Sequence, residues 1–246
     1  MQPPFHRLVE FVPLSAEEAE IARGWLVDSR RIARGKPIRQ EGEPVKGVFF
    51  LLDGWAGSSL LLRDGRRQIV KVHLPGDMLG FPSLALSHAG ETLEALTDAT
   101  ICSFPNAAIG RMFRELPRLA MALFLSTQKE RVALMQKLSW VGATSAMERL
   151  TAFLLDLHQR LQAAGLAQAG CFDFPITQQQ LGELLGMSTV HINRTFKSLD
   201  ETGCISRGRG RIEVLDFAGL QRLAASFPPD FAGHDAWARL DDSSRF

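Results

Sequence analysis

Residues 174–215 read FPITQQQLGELLGMSTVHINRTFKSLDETGCISRGRGRIEVL, and this stretch decides the fold. Thr177 is a good N-cap for a helix Gln178–Leu185 with Leu181, Leu184 and Leu185 turned inward. Gly186 supplies the left-handed residue that ends it and lets the chain turn. Ser188 caps the next helix, whose inward residues are Val190 or Ile192, then Phe196 and Leu199. Thr189, His191, Asn193, Arg194 and Lys197 face outward, all polar or cationic. After Gly203, Cys204-Ile205-Ser206 and Arg211 to Leu215 read as short strands joined by a basic hairpin, Arg207-Gly208-Arg209-Gly210. Two helices, a glycine turn and a basic hairpin in this order predict a winged helix-turn-helix.

Such a unit suits the major groove of double-stranded DNA, where three or four side chains of the second helix reach base edges. Arg194 can donate two hydrogen bonds to guanine O6 and N7, worth ~1–3 kcal/mol of discrimination. Asn193 and His191 can read bases or hold phosphates, while Thr177, Gln178 and Gln179 stand where a helix start meets the DNA backbone. Lys197 and Arg209 add salt-sensitive attraction. The cations Arg194, Lys197, Arg207, Arg209 and Arg211 are local, since the chain's formal net charge is only +1.

Upstream, residues 106–142 read as one long helix, broken or restarted at Pro117 and ended by Gly142. Ala120, Leu123, Thr127, Leu134, Leu138 and Val141 recur near a heptad spacing, with Arg131 interrupting. An apolar seam of that length wants a partner, and the simplest partner is its own copy, a homodimer. A second helix begins near Thr144 with Met147, Leu150, Phe153, Leu154, Leu157 and Leu161 at helical spacing. Past Leu215, Asp216 caps a helix to about Ser226, closed by Pro228-Pro229, before a tail with Trp237 and Phe246.

From Ile32 to Phe104 the pattern changes to short strands. Gly42, Gly54, Gly65 and Gly76 recur almost evenly between the apolar runs Val48–Leu52, Ser58–Leu62, Gln68–Leu74 and Thr100–Phe104. Asp53-Gly54 and Asp64-Gly65 are tight-turn pairs, so a barrel or jelly roll is expected. Before it, Ser15 and Glu18 form a capping box for a helix to about Arg30. The fold class is thus α+β, in three parts: residues 1–105, an N-terminal helix and β-roll of sensor type; 106–142, the dimerisation helix; 143–246, the winged helix-turn-helix with its extension.

An apolar fraction of 46% suits a globular protein. No apolar run is long enough to span a membrane, and Met1 to Ser15 lacks the charged start and apolar core of a signal peptide, so a cytoplasmic location is expected. Cys102, Cys171 and Cys204 are too few and scattered for a disulfide framework or a zinc knuckle, and read as small, mostly buried side chains. No metal site is expected. Enzyme motifs are missing: there is no Gly-x-Ser-x-Gly, no phosphate loop with lysine, no His-Glu-x-x-His. A cupin-type metal enzyme shares the jelly roll but needs clustered histidines, which His73 alone does not supply. The competing reading is a ligand-binding or protein-interaction module whose winged helix docks protein instead of DNA.

The order of parts, with Pro75-Gly76-Asp77-Met78-Leu79-Gly80, Ile176-Thr177-Gln178-Gln179-Gln180-Leu181-Gly182 and Ser188-Thr189-Val190-His191-Ile192-Asn193-Arg194, resembles the Crp/Fnr family of bacterial transcription regulators over roughly Ile32 to Leu215. The resemblance implies a cyclic-nucleotide-binding-like roll, a homodimer on an interrupted palindrome, and contact with RNA polymerase. In nucleotide-binding members a glutamate after the glycine takes the ribose and an arginine before a Ser or Thr takes the phosphate. Here Gly80 is followed by Phe81-Pro82-Ser83, Glu91-Thr92 stands where Arg-Thr is wanted, and Leu134-Met135 where an adenine-contacting Thr-Ser pair lies. A glutamate repels a phosphate, so cyclic AMP is not the expected effector. Oxygen-sensing members hold an iron–sulfur cluster on cysteines grouped near the N-terminus; residues 1–30 contain none, which excludes that sensor. Haem stays open as an alternative, with His73 and His88 in the roll and Leu134-Met135 as an apolar wall. The family's cytosine-reading glutamate falls at Val190, so guanine selectivity through Arg194 is expected beside an altered neighbouring preference.

Overall fold

The computed structural model describes Phe5, residues 7–224 and Gly233, the side chains of residues 141 and 142 apart. Ser15 accepts a hydrogen bond from the Glu18 amide at 3.1 Å, and the Glu18 carboxylate takes the Ser15 amide at 2.7 Å, so α1 (Ala16–Arg23) starts there. It stops earlier than the capping box alone suggests. Gly24 caps it, and the expected continuation to Arg30 leaves instead as β1 (Val27–Ile32), paired antiparallel with residues 99–103. Glycine disfavours the helix, and a strand edge offers those amides and carbonyls partners.

The roll continues through β2 (Pro37–Arg39), β3 (Gly47–Asp53), β4 (Ala56–Leu61), β5 (Arg67–His73), β6 (Met78–Leu79), β7 (Thr92–Ala95) and β8 (Ala99–Pro105). They form two four-stranded sheets, β1-β8-β3-β6 and β2-β7-β4-β5. Ile38, Leu51, Leu79, Leu93 and Ile101 fill the interior. Gly54, at φ +79, makes the β3–β4 turn, and a Cβ there would lie 2.2 Å from the Asp98 carbonyl oxygen.

After β8 come α2 (Asn106–Glu115), α3 (Pro117–Ala143), α4 (Ala146–Ala163), β9 (Ala167–Gln168), β10 (Cys171–Asp173), α5 (Gln178–Leu185), α6 (Thr189–Glu201), β11 (Ile205–Gly208), β12 (Arg211–Val214) and α7 (Phe217–Leu223). Pro117 opens α3, where its missing N–H costs no helical bond. Asp216 caps α7 by accepting the Gly219 amide at 2.9 Å. The expected helix end at Ser226, Pro228-Pro229, Trp237 and Phe246 lie outside the described residues. Among the described residues, no helix is long and apolar enough to cross a membrane.

The described residues fall into two units, one holding those up to residue 58, residues 73–132 and Gly233, the other 59–72 and 133–224. In the first, Phe50 stands edge-on to Phe5 at 5.0 Å and to Phe104 at 5.6 Å, with Met112, Leu119 and Leu123 in the same core. In the second, α4 packs on α6 and α7, burying Leu150, Leu154, Leu157 and Leu161 with Ile192, Phe196 and Leu199. Each such side chain contributes ~1.5–3 kcal/mol by leaving water. Cys102 and Cys204 are buried and Cys171 is half-buried; burial pushes the Cys102 thiol up to about 11, where little thiolate forms.

Candidate nucleic-acid interface

Two caps set the directions of α5 and α6. Thr177 Oγ1 accepts the Gln180 amide at 3.2 Å, and Gln180 Oε1 takes the Thr177 amide at 2.9 Å, a reciprocal box whose Gln180 half the sequence reading leaves out. Gly186, at φ +69, ends α5, and Ser188 Oγ accepts the His191 amide at 3.2 Å to start α6. The hydroxyls of Thr177 and Ser188 therefore serve the helix starts. Ile192 is fully buried while Val190 is 69% exposed, which settles the two inward candidates in favour of Ile192.

Gln178, Gln179, Thr189, Val190, His191, Asn193, Arg194 and Lys197 are all exposed. Gln179 is tied by its amide to Glu183 Oε1 at 3.1 Å. The wing is tighter than the sequence indicates: Gly208 pairs with Arg211, so only Arg209 and Gly210 turn, at φ +52 and +74. Two positive-φ residues match the twist of a two-residue hairpin. They put exposed Arg209 at the tip.

Within the roll, the expected effector residues have other partners. Arg39, 5% exposed, crosses to Gly80 and Glu91. Its guanidinium donates to the Gly47 carbonyl at 3.2 Å and the Gly80 carbonyl at 3.4 Å, and lies 3.7 Å from Glu91 Oε1. A Cβ on Gly80 would come within 2.6 Å of it. Burial lowers the pKa of Arg39, and the charges of Glu91 and Glu43 oppose that shift. Ser83 is buried and its hydroxyl accepts the Gly90 amide at 3.2 Å; Thr92 Oγ1 accepts the Glu41 amide at 3.1 Å; Phe81 packs on the first core. Among these residues the Arg39 guanidinium thus already faces a carboxylate. Leu134 and Met135 belong to the second unit and are 52% and 61% exposed. His73 is buried with Nε2 2.7 Å from Ser58 Oγ, and His88 is exposed beside Ser87.

On α3, Leu138 is 68% exposed, continuing the face of Leu134 and Met135. Leu123 departs from the expected seam and is buried in the first core, because α3 passes over α2 and β3 side chains there. Thr127 is half-buried with its hydroxyl donating to the Phe124 carbonyl at 2.6 Å. The side chain of Val141 lies outside the described residues.

Two family models match the chain, a cyclic nucleotide-binding domain over residues 29–115 and a Crp-like helix-turn-helix domain over residues 148–223. The nitrogen fixation regulation protein FixK of Bradyrhizobium diazoefficiens is 33% identical over 195 residues, covering 78% of this chain and 80% of that protein. The transcriptional regulatory protein btr of Bordetella pertussis is 28% identical over 212 residues, 86% of this chain and 87% of that one. The structure of FixK2 from Bradyrhizobium japonicum superposes with a TM-score of 0.72 at 27% identity, covering 81% of this chain and 99% of that one. The chain belongs to the Crp/Fnr family and is a DNA-binding transcription regulator of that type.

Proposed function

We propose that the protein acts as a homodimer on a palindromic promoter site, with α6 of each copy in a major groove and Arg209 of the wing on the flanking backbone. The observation that carries this reading is the outer face of α6, where exposed His191, Asn193, Arg194 and Lys197 follow a capped start beside the wing. Thr177, Gln178, Gln179, Ser188, Thr189 and Val190 border the same DNA surface, and the exposed Leu134, Met135 and Leu138 of α3 supply the face for the second copy. The division into 1–105, 106–142 and 143–246 then separates roll, dimer helix and DNA reader. The Arg39–Glu91 pair supports a degenerate effector pocket that does not bind cyclic AMP. RNA polymerase is the further partner that membership of the family implies.

The test is selection of bound sequences from a random duplex pool by the purified protein without added ligand. The expected result is an enriched palindrome with half-site centres about one helical turn apart. Arg194→Ala is expected to cost roughly 1–3 kcal/mol and relax one guanine position per half-site only. An unchanged selected site in that variant refutes the assignment of Arg194, and no enrichment by the wild type refutes the reading of the winged helix.

A further inference from the structure

Five cations crowd the wing and α6, and they are not equivalent. Arg207 Nε donates to Asp200 Oδ1 at 2.9 Å, its second nitrogen meets Oδ2, and its guanidinium carbon stands 4.0 Å from the centre of the Phe196 ring. Phe196 and Asp200 both belong to α6, so Arg207 pins β11 onto that helix by a two-pronged ion pair and a stacked face. Arg211 is paired too, its Nε 2.9 Å from Asp173 Oδ1 directly across β12 and β10. Among the described residues, Arg194, Lys197 and Arg209 have no such carboxylate.

On the DNA-binding reading given above, we infer that Arg207 is a positioning residue that braces the wing against α6, while the salt-dependent attraction comes from Lys197 and Arg209. A guanidinium already satisfied by a carboxylate and an aromatic face releases no counterion when DNA arrives. An unpaired one does, and each phosphate neutralised steepens the fall of log affinity with log salt by ~0.9. The wing turn itself holds Arg209 at positive φ, an uncommon state for a residue with a Cβ, and the brace keeps that turn in register with α6.

The experiment measures the affinity of the full chain for the selected duplex across a salt series, with thermal melting of each variant alongside. Arg209→Ala is expected to make that fall shallower by about 0.9 for each phosphate that the side chain no longer neutralises. Arg207→Ala is expected to weaken binding roughly three- to tenfold with the slope unchanged. Arg207→Lys keeps the charge and the fold but loses the planar fork, and is expected to weaken binding nearly as much. A salt dependence that flattens in Arg207→Ala as it does in Arg209→Ala overturns the inference, as does full affinity in Arg207→Lys. Failure of the DNA reading shows separately, in a wild type without duplex preference. In that case a thermal double-mutant cycle of Arg207→Ala with Asp200→Ala still judges the brace, by coupling or by simple additivity.

Discussion

Gly182 shows how a single position can be decided by atoms that the local sequence does not name. Its own carbonyl accepts the Met187 amide at 2.9 Å, and a Cβ added there would stand 2.5 Å from the Met187 carbonyl oxygen. That oxygen is backbone in the turn between α5 and α6, so no side chain can swing away. Gly182→Ala is expected to destabilise the protein by about 1–3 kcal/mol through forced separation of the two helices, seen as a lower melting temperature and weaker DNA binding. A variant that melts with the wild type and binds equally well would show that the turn yields without cost. Gly186, four residues on, is legible because a left-handed helix end is a local requirement met by glycine. The close approach at Gly182 is not, since it exists only once α6 has folded back. The same holds at the roll. Glu91 reads in the sequence as hostile to a phosphate, but Arg39 sits far away in the chain, and only β2 brings it to 3.7 Å. In the wing, the basic hairpin is legible while its internal sorting by Asp200 and Asp173 is not.

At the scale of elements, caps and glycine turns carry most of the boundaries. Thr177, Ser188 and Asp216 cap the helices assigned to them, and Pro117 separates α2 from α3. The miss at β1 has a pairing cause: its exposed residues carry no period of their own, and the edge of β8 selects them as a strand. His158 on α4 is 8% exposed, with its ring 5.8 Å from Phe172 and 4.8 Å from Phe217. Burial lowers its pKa from the ordinary 6.5, because the charged ring is poorly solvated between two aromatic faces. The unfolded chain therefore binds the proton more readily than the folded one. Stability from this group is fully present above pH 6.5 and declines as pH falls from 6.5 toward the lowered value in the fold. His158→Gln, which keeps a polar side chain of similar reach, is expected to melt with a flatter pH dependence below pH 6.5. An unchanged acid limb in that variant assigns the decline to other groups.

At the scale of the whole molecule, the chain's net charge of +1 provides no general attraction to DNA, so the attraction must come from a small cationic face. The apolar face of α3 supplies the symmetry in the proposed dimer, and its most exposed member, Leu138 at 68%, contributes little to either core. Leu138→Glu should therefore leave each protomer folded, with a melting temperature close to that of the wild type at low protein concentration. Placed at the seam, two glutamates repel across the dyad and cannot leave water without cost. The expected product is a monomer by sedimentation equilibrium. A dimer's second half-site engagement is effectively intramolecular, and losing that advantage weakens binding to the full palindrome by roughly 10²–10⁴. Binding to an isolated half-site should barely change, because α6 and the wing are intact in each copy. That pattern, full-site loss with half-site retention, separates a broken seam from a damaged DNA reader, in which both affinities fall together. If Leu138→Glu stays dimeric and keeps its full-site affinity, α3 is not the pairing helix, and the two-fold axis must be sought on another surface.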